Sequence, residues 1–290
     1  MKYGELYEQI KKKGSFLCVG LDTDIEKIPS CVKERVRAAS LPQEEAVFIF
    51  NKDIIDATVP YAIAFKINTA FYEALGSEGI RQMEKTVSYI KTNYPDIFII
   101  ADAKRGDIGN TAKQYAKAFF EKMDCDAVTL SPYMGGDAIM PFLKYEGKWA
   151  IILALTSNVT AEDFETLETR PHRMDFDDDA QTHVPLYERV LSQAEKWGNK
   201  DNVMFVVGAT RPGQLARIRL LCPENFFLVP GVGVQGGRVE EVAAAGMNSH
   251  CGLIVNSSRG ILYADSSERF AQAAAEKAIE MVSQMKVHLK

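Results

Sequence analysis

Hydrophobic residues along this chain cluster into short runs that recur from one end to the other. The runs are nearly continuous, with few polar interruptions, and they are rich in Val, Ile and Phe. Such runs are typical of parallel strands that are buried on both faces. We predict eight strands, at 16–22, 62–68, 97–104, 127–132, 149–157, 203–210, 226–233 and 252–258.

Amphipathic segments with helical periodicity separate these strands. Examples lie at 43–58, 80–93, 111–123, 186–197 and 238–245. Strands that alternate with helices, without a linker, predict an α/β fold, a single-domain (β/α)8 TIM barrel over residues 1–290. An open, doubly wound sheet is the alternative that this pattern leaves open.

One segment, 158–184, is too long for an ordinary connection between a strand and a helix. It is acidic and weakly periodic, so we predict an insertion that runs over the surface. The alternative is a cation site at Asp175 and Asp177-Asp178-Asp179, although the segment has no metal-ligand spacing.

Composition narrows the possible classes of function. The formal net charge of −5 argues against a general nucleic-acid binder, which requires a basic surface. No apolar run is long enough to span a membrane, and no hydrophobic signal core follows Met1. The five cysteines form no CxxC pair, and the four histidines have no metal-ligand spacing. We therefore expect a reduced, cytoplasmic protein that uses no metal and has no nucleic-acid or membrane partner.

The segment ADAKRGDIGNT at 101–111 carries the strongest chemical signal. Asp102 and Lys104 are two residues apart at the end of the third predicted strand, so both side chains should leave the same face of that strand. Asp107 follows after a glycine. Because unpaired charge is costly away from water, this arrangement indicates either an active site or a structural ion pair at the strand end.

Polar residues also lie at the ends of other predicted strands. In a TIM barrel the C-terminal strand ends meet at one mouth, where active sites are built. Their convergence favours an active site over isolated ion pairs. These residues are Asp22, Lys66, Ser157, Gln235 and Arg259.

The glycine-rich segment PGVGVQGG at 230–237 follows the seventh predicted strand. Glycines let backbone N–H groups approach an anion, and barrels often bind phosphate between the loops after strands seven and eight. Arg259, after strand eight, can offer a planar fork to phosphate oxygens, and Gln235 can donate its amide. We predict a phosphate site here, with a surface salt bridge as the alternative for Arg259.

The segment DAKRGDIGNT resembles the DxKxxDIxxT signature of the orotidine 5′-phosphate decarboxylase family. The length and the segments SPYMGGD and VGATRPGQ are similar to the longer bacterial branch of that family. The chain differs from many members in Ala103, Arg105 and Gly106, and in the long insertion after Ser157. The other matching features follow in the family's order: Asp22, Lys66 in FKIN, Ser157 in LTSN, the PGVGVQGG loop and Arg259.

The resemblance implies a carboxy-lyase that converts orotidine 5′-monophosphate to uridine 5′-monophosphate, the last step of de novo pyrimidine nucleotide synthesis. It implies that no cofactor is needed, because Lys104 would both stabilise negative charge at C6 of the base and protonate that carbon. The implied catalytic network is Lys66, Asp102, Lys104 and Asp107. The implied substrate-binding residues are Asp22 and Thr111 at the ribose, Ser157 at the pyrimidine amide, Gln235 and Arg259 at the phosphate, and also Ile108 and Pro230.

The resemblance further implies a homodimer in which Asp107 completes the partner's site, with helix capping by Asp107 as the alternative. The alternative function is a metal-dependent sugar-phosphate decarboxylase or aldolase of the same barrel superfamily. Relatives of that kind place a carboxylate at the end of strand two, where this chain has Lys66, which would repel Mg²⁺. A non-catalytic phosphate-binding barrel is disfavoured, because the lysine that would donate the proton, Lys104, is present.

Overall fold

The computed structural model of the protein describes residues 1–170, 183–233 and 236–289. Eight parallel strands form one closed barrel. Closure confirms the predicted TIM barrel and excludes the open, doubly wound sheet. The barrel strands are β1 Leu17–Gly20, β2 Ala64–Asn68, β3 Phe98–Arg105, β4 Ala127–Leu130, β5 Trp149–Leu155, β6 Val203–Val207, β7 Phe227–Pro230 and β8 Leu253–Ser257.

Helices connect the strands and cover the outside of the barrel. Each predicted amphipathic segment contains a helix, and the segment predicted at 111–123 is an α-helix that continues as a π-helical turn, Ala118–Lys122. The helices are α1 Tyr3–Lys13, α2 Ser30–Ala38, α3 Glu45–Thr58, α4 Thr69–Glu73, α5 Gly76–Asn93, α6 Gly109–Lys117, α7 Met140–Leu143, α8 Leu186–Trp197, α9 Pro212–Leu221, α10 Val239–Gly246, α11 Arg259–Leu262 and α12 Phe270–Lys286.

All eight predicted strands exist, but several end earlier than the hydrophobic pattern suggests. β5 stops at Leu155 instead of 157, and β6 stops at Val207 instead of 210. Of the residues beyond these ends, Thr156, Ser157 and Thr210 line the cavity at the C-terminal end of the barrel. Every residue of β1, β4, β6 and β8 is buried, as expected between a filled barrel interior and a layer of helices.

The N-terminal end of the barrel is closed by α1. The Trp149 indole donates a hydrogen bond to the Met1 carbonyl at 2.8 Å, and the Tyr3 hydroxyl donates to the Glu224 carbonyl at 2.9 Å. This closure leaves the C-terminal end of the barrel as the open end.

The insertion after β5 begins as a 3-10 turn, Val159–Asp163, and its two described ends pair as antiparallel strands, Glu168–Thr169 with Val184–Pro185. The alternative cation site at 175 and 177–179 lies outside the described residues. Among the described residues, no helix combines the length and the apolar content needed to span a lipid bilayer.

Candidate active site

An open cavity of about 810 Å³ lies at the C-terminal ends of the strands. Its walls come from strand ends that are far apart in sequence, which is the convergence that the sequence predicted. The predicted site residues that line it are Asp22, Lys66, Asp102, Lys104, Ser157, Pro230 and Arg259.

Four charged side chains form a continuous chain of alternating sign on one wall of the cavity, and we call it the charged chain: Asp22, Lys66, Asp102 and Lys104. The Lys66 ammonium donates to Asp22 Oδ1 at 3.1 Å and to Asp102 Oδ2 at 3.0 Å. Lys104 Nζ donates to the other oxygen of Asp102, Oδ1, at 2.6 Å. Lys66 is buried, whereas the Lys104 side chain is 51% exposed and therefore accessible to a ligand in the cavity.

The two buried members of the charged chain, Lys66 and Asp102, are kept ionised by their neighbours. Burial alone would lower the pKa of Lys66, but the Asp22 and Asp102 carboxylates outweigh burial and raise that pKa above its usual value. Burial would likewise raise the pKa of Asp102, but Lys66 and Lys104 together lower it below its usual value. Lys66 and Asp102 therefore both remain charged at neutral pH.

The backbone at Lys104 is irregular. Its φ is +48°, a left-handed conformation that costs a residue with a Cβ roughly 1–2 kcal/mol. The pairing of β3 with β4 shifts register between Ala101 and Arg105. Thr129 in β4 accepts the Lys104 N–H at 3.0 Å and donates its hydroxyl to Asp102 Oδ1 at 2.9 Å. The charged ends of Asp102 and Lys104 meet as predicted, but through a strained backbone of the kind found at functional sites and not through a regular strand.

The opposite wall of the cavity carries the predicted phosphate residues. Pro230 ends β7, and Arg259 begins α11. Arg259 is exposed and has no ion-pair partner within 1–170, 183–233 and 236–289, so the alternative of a surface salt bridge is not supported. Gly236 packs so closely on the Gly231 carbonyl that a Cβ would overlap it. Gln235 lies outside the described residues.

Three predicted residues stand away from the cavity of their own chain. Ile108 and Thr111 are exposed, and Asp107 is not among the described residues that line the cavity. Asp107 Oδ1 accepts the Ile108 N–H at 2.7 Å, one residue before α6, and no side chain caps the first turn of that helix. The helix-capping alternative for Asp107 is therefore not supported.

Several polar residues of the site were missed by the sequence reasoning. Asn256 Oδ1 is buried and receives no hydrogen bond from the described residues, so it is available to a ligand. The sequence does carry a signal for Asn256, because the polar run NSS at 256–258 ends an otherwise apolar strand. Thr129 gave no signal, because its role depends on the register between β3 and β4. The further polar residues that line the cavity are Thr156, Asn158, Thr210, Ser257 and Ser258.

Comparison with known proteins places the chain in a family. The profile of the orotidine 5′-phosphate decarboxylase / HUMPS family matches residues 15–274. The chain belongs to this family. It is 54% identical over 286 residues to an orotidine 5′-phosphate decarboxylase of Phocaeicola vulgatus, covering 98% of each chain. It is 53% identical to one from Bacteroides fragilis, covering 100% of this chain and 99% of the relative.

A solved structure of a family member has the same architecture over the whole length. The Leishmania donovani OMP decarboxylase is 32% identical, with a TM-score of 0.77 and coverage of 99% of both chains. Within the described residues, no group of three or more His, Cys, Asp or Glu side chains is arranged to hold a metal ion. Both carboxylates of the charged chain are already bonded to lysines.

Proposed function

We propose that this chain decarboxylates orotidine 5′-monophosphate to uridine 5′-monophosphate. The observation that carries the proposal is the charged chain, which presents the exposed ammonium of Lys104 to a cavity of nucleotide size. The likeness to relatives that are named orotidine 5′-phosphate decarboxylases supports the same reaction.

The polarity of the two cavity walls suggests how the nucleotide would bind. The 5′-phosphate would lie against Arg259 and the glycine-rich backbone after β7, because a guanidinium fork and close N–H groups both suit phosphate oxygens. The pyrimidine would then extend towards Lys104, with Ser157 near its amide and Asp22 near the ribose. Gln235 would add a second phosphate contact. Remote binding of the phosphate supplies free energy that can hold the base against the charged chain.

Decarboxylation leaves a localised negative charge that needs a fixed cation. When the bond between C6 and the carboxylate breaks, its electron pair remains on C6 in the plane of the ring, where the π system cannot delocalise it. The Lys104 ammonium would stabilise this charge and then transfer a proton to C6, leaving a neutral amine. Because half of the Lys104 side chain is exposed, solvent can return the proton after product release.

Lys66 and Asp102 would act mainly by holding Lys104 in place. Asp102 accepts from both lysines and from Thr129, so its carboxylate cannot rotate without breaking several charge-assisted hydrogen bonds. Preorganised charge of this kind needs no reorganisation when the transition state forms.

We further propose a homodimer in which Asp107 completes the partner's charged network. Asp107 does not line the cavity of its own chain, and next to it Ile108 is exposed. Tyr133 and Met134, in the loop after β4, are exposed as well, Tyr133 to 86%. Apolar side chains grouped at one end of a barrel suit burial against a second copy.

The alternative of a metal-dependent sugar-phosphate enzyme is not favoured. Lys66 occupies the end of β2, where such an enzyme needs a carboxylate ligand, and its ammonium is bonded to both neighbouring carboxylates.

A spectrophotometric assay with orotidine 5′-monophosphate tests the proposal, since the absorbance of the base changes when the carboxylate is lost. We expect turnover that is unchanged by a strong chelator. The absence of turnover by the folded protein would contradict the decarboxylase function, and turnover that chelator abolishes and Mg²⁺ restores would favour the metal-dependent alternative.

A further inference from the structure

The insertion after β5 reaches back to the cavity through one carboxylate, that of Glu165. Its Oε2 accepts the Thr156 N–H at 2.7 Å, and its Oε1 accepts the Thr156 hydroxyl at 2.8 Å. Because β5 ends at Leu155, Thr156 has left the strand ladder, and the carboxylate replaces the missing strand partner. Thr156 and the next residue, Ser157, both line the cavity.

Ser157 is confined from the opposite side. A Cβ at Gly208 would lie 2.8 Å from Ser157 N and 2.9 Å from Ser157 Cα, so the Ser157 backbone packs directly on that glycine. The Gly208 N–H in turn donates to the Leu155 carbonyl at 2.8 Å. Ser157 is therefore seated between Gly208 and a residue that Glu165 holds at two atoms.

Glu165 is itself fixed by the folded part of the insertion. Its N–H donates to the Ala161 carbonyl at 2.8 Å, and its carbonyl accepts the Tyr187 N–H of α8 at 2.9 Å. The neighbouring Leu186 N–H donates to the Leu167 carbonyl at 2.8 Å. The backbone that carries the Glu165 carboxylate is thus fixed by hydrogen bonds at both its N–H and its carbonyl.

We infer that Glu165 is a positioning residue that sets the geometry of Ser157, and through it the recognition of the pyrimidine base. The inference rests on the proposed function, and it gives the insertion a role in substrate specificity. Among the described residues, the Glu165 carboxylate accepts hydrogen bonds from Thr156 and forms no ion pair with Arg259. Its loss should weaken only ligands that carry a base.

The experiment compares Glu165→Ala with Glu165→Gln, which retains an acceptor for the Thr156 N–H. The readouts are KM for orotidine 5′-monophosphate and the inhibition constant of ribose 5-phosphate, which has no base. A charge-assisted hydrogen bond to a backbone N–H has an effect of about tenfold or more. For Glu165→Ala we expect at least a tenfold rise in KM and less than a twofold change in the ribose 5-phosphate constant, and for Glu165→Gln a KM within about threefold of wild type.

Glu162→Ala is the matched control, because Glu162 belongs to the same insertion but is exposed and pairs with Arg211 at 3.0 Å. It should retain wild-type KM. If Glu165→Ala does not fold, Thr156→Val removes the hydroxyl that contacts Glu165 Oε1 and Asn158 Oδ1, and it should still raise KM selectively. An unchanged KM in a folded Glu165→Ala, or equal weakening of both ligands, would overturn the positioning role of Glu165 and leave the proposed function intact. A wild-type protein without turnover would overturn the proposed function, and this inference with it.

Discussion

Lys66 and Asp102 can be buried at the cavity because each is matched by neighbours of opposite sign. The Lys66 side chain is only 5% exposed, and its ammonium lies between two carboxylates. Removing one member would leave another uncompensated, which costs about 3–5 kcal/mol for a buried pair. Lys104 differs, because its exposure allows its removal without stranding a fully buried charge. It is therefore the residue at which chemistry and stability can be tested separately.

We expect Lys104→Ala to reduce kcat by at least about two or three orders of magnitude, because it removes both the stabilising charge and the proton donor. Steady-state kinetics measures kcat, and a thermal melt shows whether the variant remains folded. Lys148→Ala is the control, since Lys148 pairs with Asp124 at 2.6 Å and lies just before β5, at the closed end of the barrel. Near-normal turnover in folded Lys104→Ala would refute the proposed mechanism.

The lowered pKa of Asp102 predicts a pH dependence of stability. A carboxyl group whose pKa is lower in the folded state stabilises the fold above its unfolded pKa of about 3.9, and this contribution disappears as the pH falls through the folded value. Urea unfolding should therefore show a steeper loss of free energy between pH 6 and about pH 3 for wild type than for Asp102→Asn. Parallel pH profiles for the two proteins would argue against the shift.

At the scale of helices and strands, the ends of elements are held by contacts that join distant parts of the chain. Arg219 in α9 is buried and has no carboxylate partner among the described residues. Its guanidinium donates to the carbonyls of Gly246 and Gly252 at 2.7 and 2.9 Å and lies 3.7 Å from the Phe227 ring centroid. It donates further to the carbonyls of Cys222 and Asn225, each at 2.8 Å. One side chain thus joins the C-terminal ends of α9 and α10 to the segments before β7 and β8.

We expect Arg219→Met to lower the free energy of unfolding by about 3 kcal/mol or more, because several buried carbonyls lose their donor. The melting temperature should fall by roughly 6–12 °C, while KM for the substrate remains unchanged. Arg81→Met is the control: Arg81 in α5 is 61% exposed and pairs with Glu78, whose side chain is also exposed, and such surface pairs contribute about 1 kcal/mol or less. Equal melting temperatures for both variants would contradict the role of Arg219.

The strands were predictable because burial on both faces leaves a continuous apolar run. The charged chain was predictable because its members lie at strand ends, a position that a barrel brings together. Arg219, Thr129 and Glu165 were not predictable, because their partners are backbone groups or hydroxyls that only the folded chain brings within reach. The strained backbone at Lys104 was not predictable either, because the hydrophobic pattern of a regular strand does not differ from that of a strand with a bulge.

At the scale of the whole molecule, the proposed dimer makes each active site depend on two chains. Asp107 and Lys104 are close in sequence, but only Lys104 lines the cavity of its own chain. If the partner supplies Asp107, each site combines Lys104 of one chain with Asp107 of the other. In a mixed dimer both mutations then fall in the same site, and the second site stays intact.

Subunit mixing tests this arrangement. Lys104→Ala and Asp107→Ala should each be nearly inactive as homodimers. Random pairing after unfolding and co-refolding gives about half heterodimers, each with one intact site, so activity should recover to about a quarter of wild type. Mixing each variant with itself is the control. Demonstrated heterodimers without recovered activity would assign Asp107 to the site of its own chain.

The left-handed backbone at Lys104 sets stability against activity at a single position. Glycine adopts a φ of +48° without the steric cost that any residue with a Cβ meets there. Lys104→Gly should therefore melt a few degrees above Lys104→Ala, although both lack the ammonium. Equal melting temperatures would remove the argument for strain. If glycine is the more stable of the two, a directed-evolution screen for heat resistance alone would enrich glycine over alanine at this position, whereas selection for turnover would retain the lysine.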